Sequence, residues 1–96
     1  MIVECAILNI RKGKGREFEA AFAKARRLME ATSGFQKLEL RPCVETQDRY
    51  LLLVWWGSVE AHTVGFRQSE RYNEWRTEVH PFFEPFPTVQ HYGQPL

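Results

Sequence analysis

The sequence predicts an α+β domain of the ferredoxin-like kind, a βαββαβ chain whose four-stranded antiparallel sheet carries two helices on one face. Three observations lead there. Hydrophobic periodicity alternates between the strand and helix patterns in that order. Breaks rich in glycine and proline separate the segments. Finally, 96 residues are enough for one domain only, residues 1–96, which can bury roughly 65% of its surface and so needs no staples.

Ile2 to Ile10 is apolar except for Glu4 and Asn9, and its isoleucine and valine content predicts a strand buried on both faces. Arg11 to Arg16 reads as a turn. Phe18, Phe22, Ala25 and Met29 then recur at helical spacing, widened by Ala21 and Leu28, which predicts a helix over 15–32 closed by Ser33-Gly34. From Phe35 to Cys43, Leu38 and Leu40 alternate with Lys37, Glu39 and Arg41, and Pro42 marks this strand as an edge. Val44 to Arg49 is a polar hairpin loop. Tyr50 to Trp56 returns as a central strand, apolar on both faces.

Beyond Gly57, Ser58 is placed to cap a helix over 59–68. A kink near Ser69 leads into a second stretch in which Tyr72, Trp75 and Val79 share a face. Pro81, Pro85 and Pro87 end it, and Thr88 to Gly93 is the last strand. Two helices cover only one face of such a sheet, yet the first and third strands are apolar on both, so the bare face requires a partner. A second copy of the chain, giving a homodimer, is the simplest one.

With 44% hydrophobic and 26% charged residues the chain is globular, and no apolar run is long enough to span a bilayer. An acidic residue stands where a signal peptide would be basic, so a cytoplasmic protein is expected. Thirteen basic against 12 acidic residues leave a charge of +1, which speaks against nucleic acid as a partner. Cys5 and Cys43 fit neither a disulfide framework nor a zinc ribbon and are expected as buried, reduced thiols. No metal or other cofactor is expected. The Arg11-Lys12-Gly13-Lys14-Gly15-Arg16 turn lacks the ending of a phosphate loop and reads as a solvated turn.

Residues from 50 onward hold 10 of the 13 aromatics, more than a minimal core requires, so a flat ligand would draw its walls from this half. Of the three histidines, His80 stands at a helix end against Pro81, where a cation suits the dipole. His91 lies in the last strand. His62 precedes Phe66 by one turn, which places it either at the edge of a cavity or on the surface of an amphipathic helix. An imidazole there has the right ordinary pKa, about 6.5, for acid–base work near neutrality. Asn9, polar among apolar neighbours, needs hydrogen-bond partners from backbone, water or ligand.

One further pattern spans most of the chain: Gly15-Arg16-Glu17-Phe18 opening the first helix, Ser33-Gly34-Phe35 closing it, Tyr50 to Trp56 followed by Gly57-Ser58-Val59-Glu60-Ala61-His62, then Phe66-Arg67-Gln68-Ser69 with Tyr72 and Trp75. In order and spacing this resembles the antibiotic biosynthesis monooxygenase (ABM) domain family of the dimeric α/β barrel superfamily. The resemblance implies a homodimer with facing sheets and oxygenation of phenolic or quinol-like substrates without metal or flavin. The haem-degrading branch carries an Asn-Trp-His set. Here Phe66 stands at its tryptophan position and Arg76 at its histidine position, and Asn9 is out of step with its asparagine. Gly65 replaces a histidine common just before Phe66, which leaves His62 as the available imidazole.

The combined expectation is a cofactor-independent monooxygenase for a small aromatic ligand, with a pocket between the sheet and the second helical stretch. His62 is the expected base, Tyr72 and Asn9 orient the substrate's oxygens, and Trp56, Phe66, Trp75 and His91 contact the ring. Two alternatives are a non-catalytic small-ligand-binding dimer and an isomerase or dehydratase of the same superfamily.

Overall fold

A computed structural model describes residues 1–96, and the expected order of elements is present. Strand β1 (Ile2–Asn9) is followed by helix α1 (Gly15–Glu30), strands β2 (Phe35–Pro42) and β3 (Arg49–Trp56), a π-helical segment (Ala61–Phe66), helix α2 (Glu70–Val79), a 3-10 turn (His80–Phe82) and strand β4 (Val89–Tyr92). The antiparallel sheet runs β2-β3-β1-β4, the ferredoxin-like α+β arrangement. Pro42 ends β2 at one edge, where its missing N–H costs no ladder bond. No helix is long and apolar enough to cross a membrane.

The α1 stripe is buried as its spacing requires: Phe18, Phe22, Ala25, Leu28 and Met29 face the sheet. Against them lie Ala6 and Leu8 of β1 and Leu52, Val54 and Trp56 of β3. Full burial of a large apolar side chain contributes about 1.5–3 kcal/mol, and Phe18, Phe66 and Trp56 are each fully buried. Gly34 makes the turn into β2 with φ +90°, and a Cβ there would sit 2.7 Å from that of Ala61. This glycine therefore sets both the turn and the approach of the π-helical segment.

Several boundaries differ from expectation. Helix α1 stops at Glu30 rather than 32, and Ile10 leaves β1 to form an isolated bridge with Phe83. The larger difference is after β3, where the expected α-helix over 59–68 is a π-helical segment in which Arg67 N–H donates to His62 O at 2.9 Å. Ser58 does act as expected, its Oγ accepting from Ala61 N–H at 3.1 Å. Thr63, Val64 and Gly65 are poor helix formers, so the local sequence does little to resist the widened turn. Both cysteines are free, but half-buried rather than buried.

The sheet's second face carries Val3, Cys5 and Ile7 of β1 opposite Trp55, Leu53 and Leu51 of β3. Ile7 is 54% exposed, and Lys37 Nζ lies over the Trp55 ring at 4.4 Å. No helix of the chain covers this apolar face.

Candidate active site

The site is built on the other face. Strand alternation sends Glu4, Ala6 and Leu8 toward the helices, and in the β1–β4 register Glu4 stands directly opposite His91. On the other side Glu4 pairs with Val54, so Trp56 is its diagonal neighbour, within reach of a long side chain. The sheet thus lines up Trp56, Glu4 and His91 across three strands. The π-helical segment then lowers His62 onto them.

Trp56 Nε1–H donates to Glu4 Oε1 at 2.9 Å, and the Trp56 ring stacks with His62 at 5.3 Å between centroids and 15° between planes. His62 Nε2 lies 3.4 Å from the same Glu4 oxygen, and its Nδ1 is 2.8 Å from His91 Nε2. Glu4 and His62 are each only 3% exposed. Burial raises the Glu4 carboxyl to about 7, against smaller downward pulls from the Trp56 hydrogen bond and the Arg67 guanidinium. Burial pushes His62 down to about 3, helped by Arg67 and by His91. His91 is lowered too, by burial and then Arg67. The contact between Glu4 and His62 is therefore not an ion pair, because His62 is neutral wherever Glu4 is ionised.

Over this group lies a cavity of about 290 Å³. Glu4 and His62 form part of its lining, Phe66, Tyr72 and Trp75 its aromatic wall, and Arg67 and Phe86 are exposed members of the same lining. Phe66 meets Tyr72 and Trp75 edge to face, at 5.5 and 6.0 Å. Its place, between the sheet and the second helical stretch, is the expected one. An engineered apolar cavity of about 150 Å³ holds benzene, so this one has room for a small aromatic.

Of the residues singled out from sequence, His62, Phe66, Tyr72 and Trp75 line the cavity together. Trp56 does not reach it. Fully buried, it lies behind His62 and holds Glu4. His91 is outside the wall and touches the site through His62. Asn9 belongs to the opposite sheet face by strand alternation, where its Oδ1 accepts from Arg49 Nε at 2.9 Å, so an orienting role in this cavity does not fit its position.

His80 departs from expectation in the other direction. It lines the cavity, packed against Tyr72, Phe83 and Phe86, and burial followed by Arg76 lowers its pKa, so it is no helix-end cation. Glu4 is the residue that sequence reasoning passed over. Its signal was present: it is one of only two polar residues in an otherwise apolar first strand, and a buried carboxylate needs partners.

A four-stranded antiparallel sheet with an aromatic cavity under its second helical stretch and a bare apolar face behind defines the class of small ferredoxin-like α+β proteins. The family model described as antibiotic biosynthesis monooxygenase matches residues 1–78, and the chain belongs to that family. It is 44% identical to the uncharacterised protein YczJ of Bacillus subtilis (strain 168) over 92 residues, 96% of this chain and 97% of that one. A crystal structure from Bordetella bronchiseptica that carries the family's name superposes with a TM-score of 0.93 at 37% identity, covering 99% of this chain and 97% of that one. SnoaB of Streptomyces nogalater, a cofactor-independent oxygenase, shares the fold with a TM-score of 0.86 at 14% identity, over 99% and 93% of the two chains.

Proposed function

We propose that the protein is a cofactor-independent monooxygenase acting on a small phenolic or quinol-like substrate, and that it works as a homodimer. Family membership supports the reaction class. The observation that carries the substrate class is the cavity itself: Phe66, Tyr72 and Trp75 around a space of about 290 Å³, with a carboxyl and an imidazole at its base. A phenol that loses its proton becomes electron-rich enough to pass an electron to dioxygen. The protein then has to supply a proton acceptor, hydrogen bonds to the phenolate and a cavity that excludes water. His62 and Glu4 stand where the acceptor is needed. Tyr72 orients the oxygen substituent, and Phe66 and Trp75 hold the ring.

The bare face of β1 and β3 supports the dimer. Val3, Ile7, Leu51, Leu53 and Trp55 form an apolar surface that a second copy of the sheet would cover. A second reading, a dimer that binds an aromatic ligand without chemistry, draws support from the depressed basicity of His62. Oxygen uptake with a panel of quinols, followed by product mass, separates the two. Uptake is expected, with a product that has gained one oxygen atom and lost two hydrogens, the second oxygen atom leaving as water. Tight binding of the quinols with no uptake at any pH overturns the oxygenase reading and leaves the binding one.

A further inference from the structure

We infer that Glu4, His62 and His91 form a proton-conducting chain, in which Glu4 takes the proton of a phenol held in the cavity and the two imidazoles carry it to the sheet edge. The inference rests on the phenolic reading of the cavity, and it reassigns the accepting atom from His62 to Glu4.

The geometry is a continuous line across three elements. Glu4 on central strand β1 lines the cavity and is the only carboxylate that does so. Its Oε1 is 3.4 Å from His62 Nε2, and His62 Nδ1 is 2.8 Å from Nε2 of His91, a half-buried residue on the short edge strand β4. One end of the chain faces the cavity and the other lies near solvent. The first gap is longer than a hydrogen bond, as catalytic contacts commonly are before a ligand closes them. Trp56, by donating to Glu4 and stacking on His62, fixes both ends of that gap.

With Glu4 ionised, His62 carries its proton on Nδ1 and donates it to His91 Nε2, its Nε2 is free toward the carboxylate, and His91 carries its own proton on Nδ1. The phenol O–H bond breaks as a Glu4 O–H bond forms, leaving phenolate. The Glu4 proton then passes to His62 Nε2 as the Nδ1 proton passes to His91 Nε2, and His91 gives its own second proton to water. His62 changes tautomer and never holds a net charge, so its low basicity is no obstacle. A carboxyl raised to about 7 is matched to taking and releasing a proton near neutrality. The remaining polar or charged groups around Glu4 are the Trp56 N–H from β3, Arg67 beyond the π-helical segment, and Tyr72 and His80 across the cavity. Of these Arg67 is the one cation, and it favours phenolate.

The test uses 3-nitrophenol, a weaker acid than the 4-isomer and likewise coloured as its phenolate, with the full chain just above neutrality, where Glu4 is mostly ionised and the free probe is still mostly the phenol. Wild type is expected to bind it as phenolate. Glu4→Gln, which keeps an oxygen for the Trp56 hydrogen bond, is expected to bind it as phenol, with the bound phenolate reduced by about a hundredfold. For the relay, a pH-indicator dye in weak buffer follows proton release after rapid mixing. His91→Gln should slow release by about tenfold or more, and added imidazole should restore it. Equal phenolate in Glu4→Gln and wild type, or release at the wild-type rate in His91→Gln, overturns the chain while leaving the aromatic cavity standing. If wild type fails to bind the probe, the phenolic reading itself fails and the chain with it. Should Glu4→Gln not fold, infrared difference spectra of wild type decide the matter: a carboxylic-acid carbonyl band must grow on binding, and its absence overturns the proposal.

Discussion

The indole N–H of Trp56 is donated to Glu4 Oε1 at 2.9 Å, joining two diagonal neighbours on adjacent strands beneath the π-helical segment. The same indole stacks on His62, so one fully buried side chain positions both polar groups of the cavity. Replacing it by phenylalanine keeps an aromatic ring but removes the donor and leaves part of the indole's buried space empty. Trp56→Phe is expected to destabilise the protein by about 1–3 kcal/mol at neutral pH, where Glu4 is partly ionised and loses its strongest partner. Urea denaturation measures this, and a cost near zero would mean that the hydrogen bond does not form in solution.

Glu4 also gives a pH dependence with a definite sign. Its folded pKa, about 7, lies above the ordinary 4.5, so between these values the folded protein holds a proton that the unfolded chain has lost. Stability from this group is fully present below 4.5 and is lost as pH rises toward 7. Over that window wild type should lose stability relative to Glu4→Gln, by on the order of 3 kcal/mol. Urea midpoints of the two proteins at both ends of the window test it. A wild type that gains on the variant as pH rises would show that Glu4 is ionised and stabilised in the fold.

His62 titrates in the opposite sense. Its folded pKa, about 3, lies below the ordinary 6.5, so the unfolded chain takes up a proton that the folded protein refuses. Wild type should therefore lose stability relative to His62→Asn as pH falls from 6.5 toward 3. A parallel pH dependence of the two proteins over this range would place the imidazole in water.

Catalytically, His62→Ala should lower turnover of an oxidised quinol by about 10²–10⁴-fold, the usual range for removing an acid–base group. His80 shares the lining but not the polar chain, so His80→Ala should raise KM for an aromatic substrate and leave kcat within about tenfold. Steady-state kinetics of both variants resolve the difference. Equal loss of kcat in the two would remove the distinction between chain and wall.

For the assembly, light scattering at micromolar concentration is expected to report twice the 11.3 kDa chain mass. Leu53 lies centrally on the bare face, paired with Cys5 and Glu39. Leu53→Asp should shift the protein to monomer, because a charge cannot be buried there without a partner. A wild type that scatters as a single chain would leave the apolar face unexplained.

Much of this was legible in the sequence because it follows from local periodicity. The α1 stripe, the alternation of β2, the edge position that Pro42 demands and the capping by Ser58 each depend on a few neighbouring residues and the repeat of one element. The aromatic wall was legible for the same reason, since Phe66, Tyr72 and Trp75 come from one stretch of chain. What only the tertiary structure decided is which distant residues share a face. Asn9 and Glu4 looked alike as polar residues in an apolar strand. They are five positions apart, and a strand alternates at every residue, so that odd separation sends them to opposite sides of the sheet. The pairing of Glu4 with His91 depends on the register of β1 against β4, strands separated by most of the chain. The place of His62 depends on a π turn that local propensity permits but does not specify. Periodicity fixes elements; register and packing fix which side chains meet, and the polar chain from Glu4 to His91 exists only at that level.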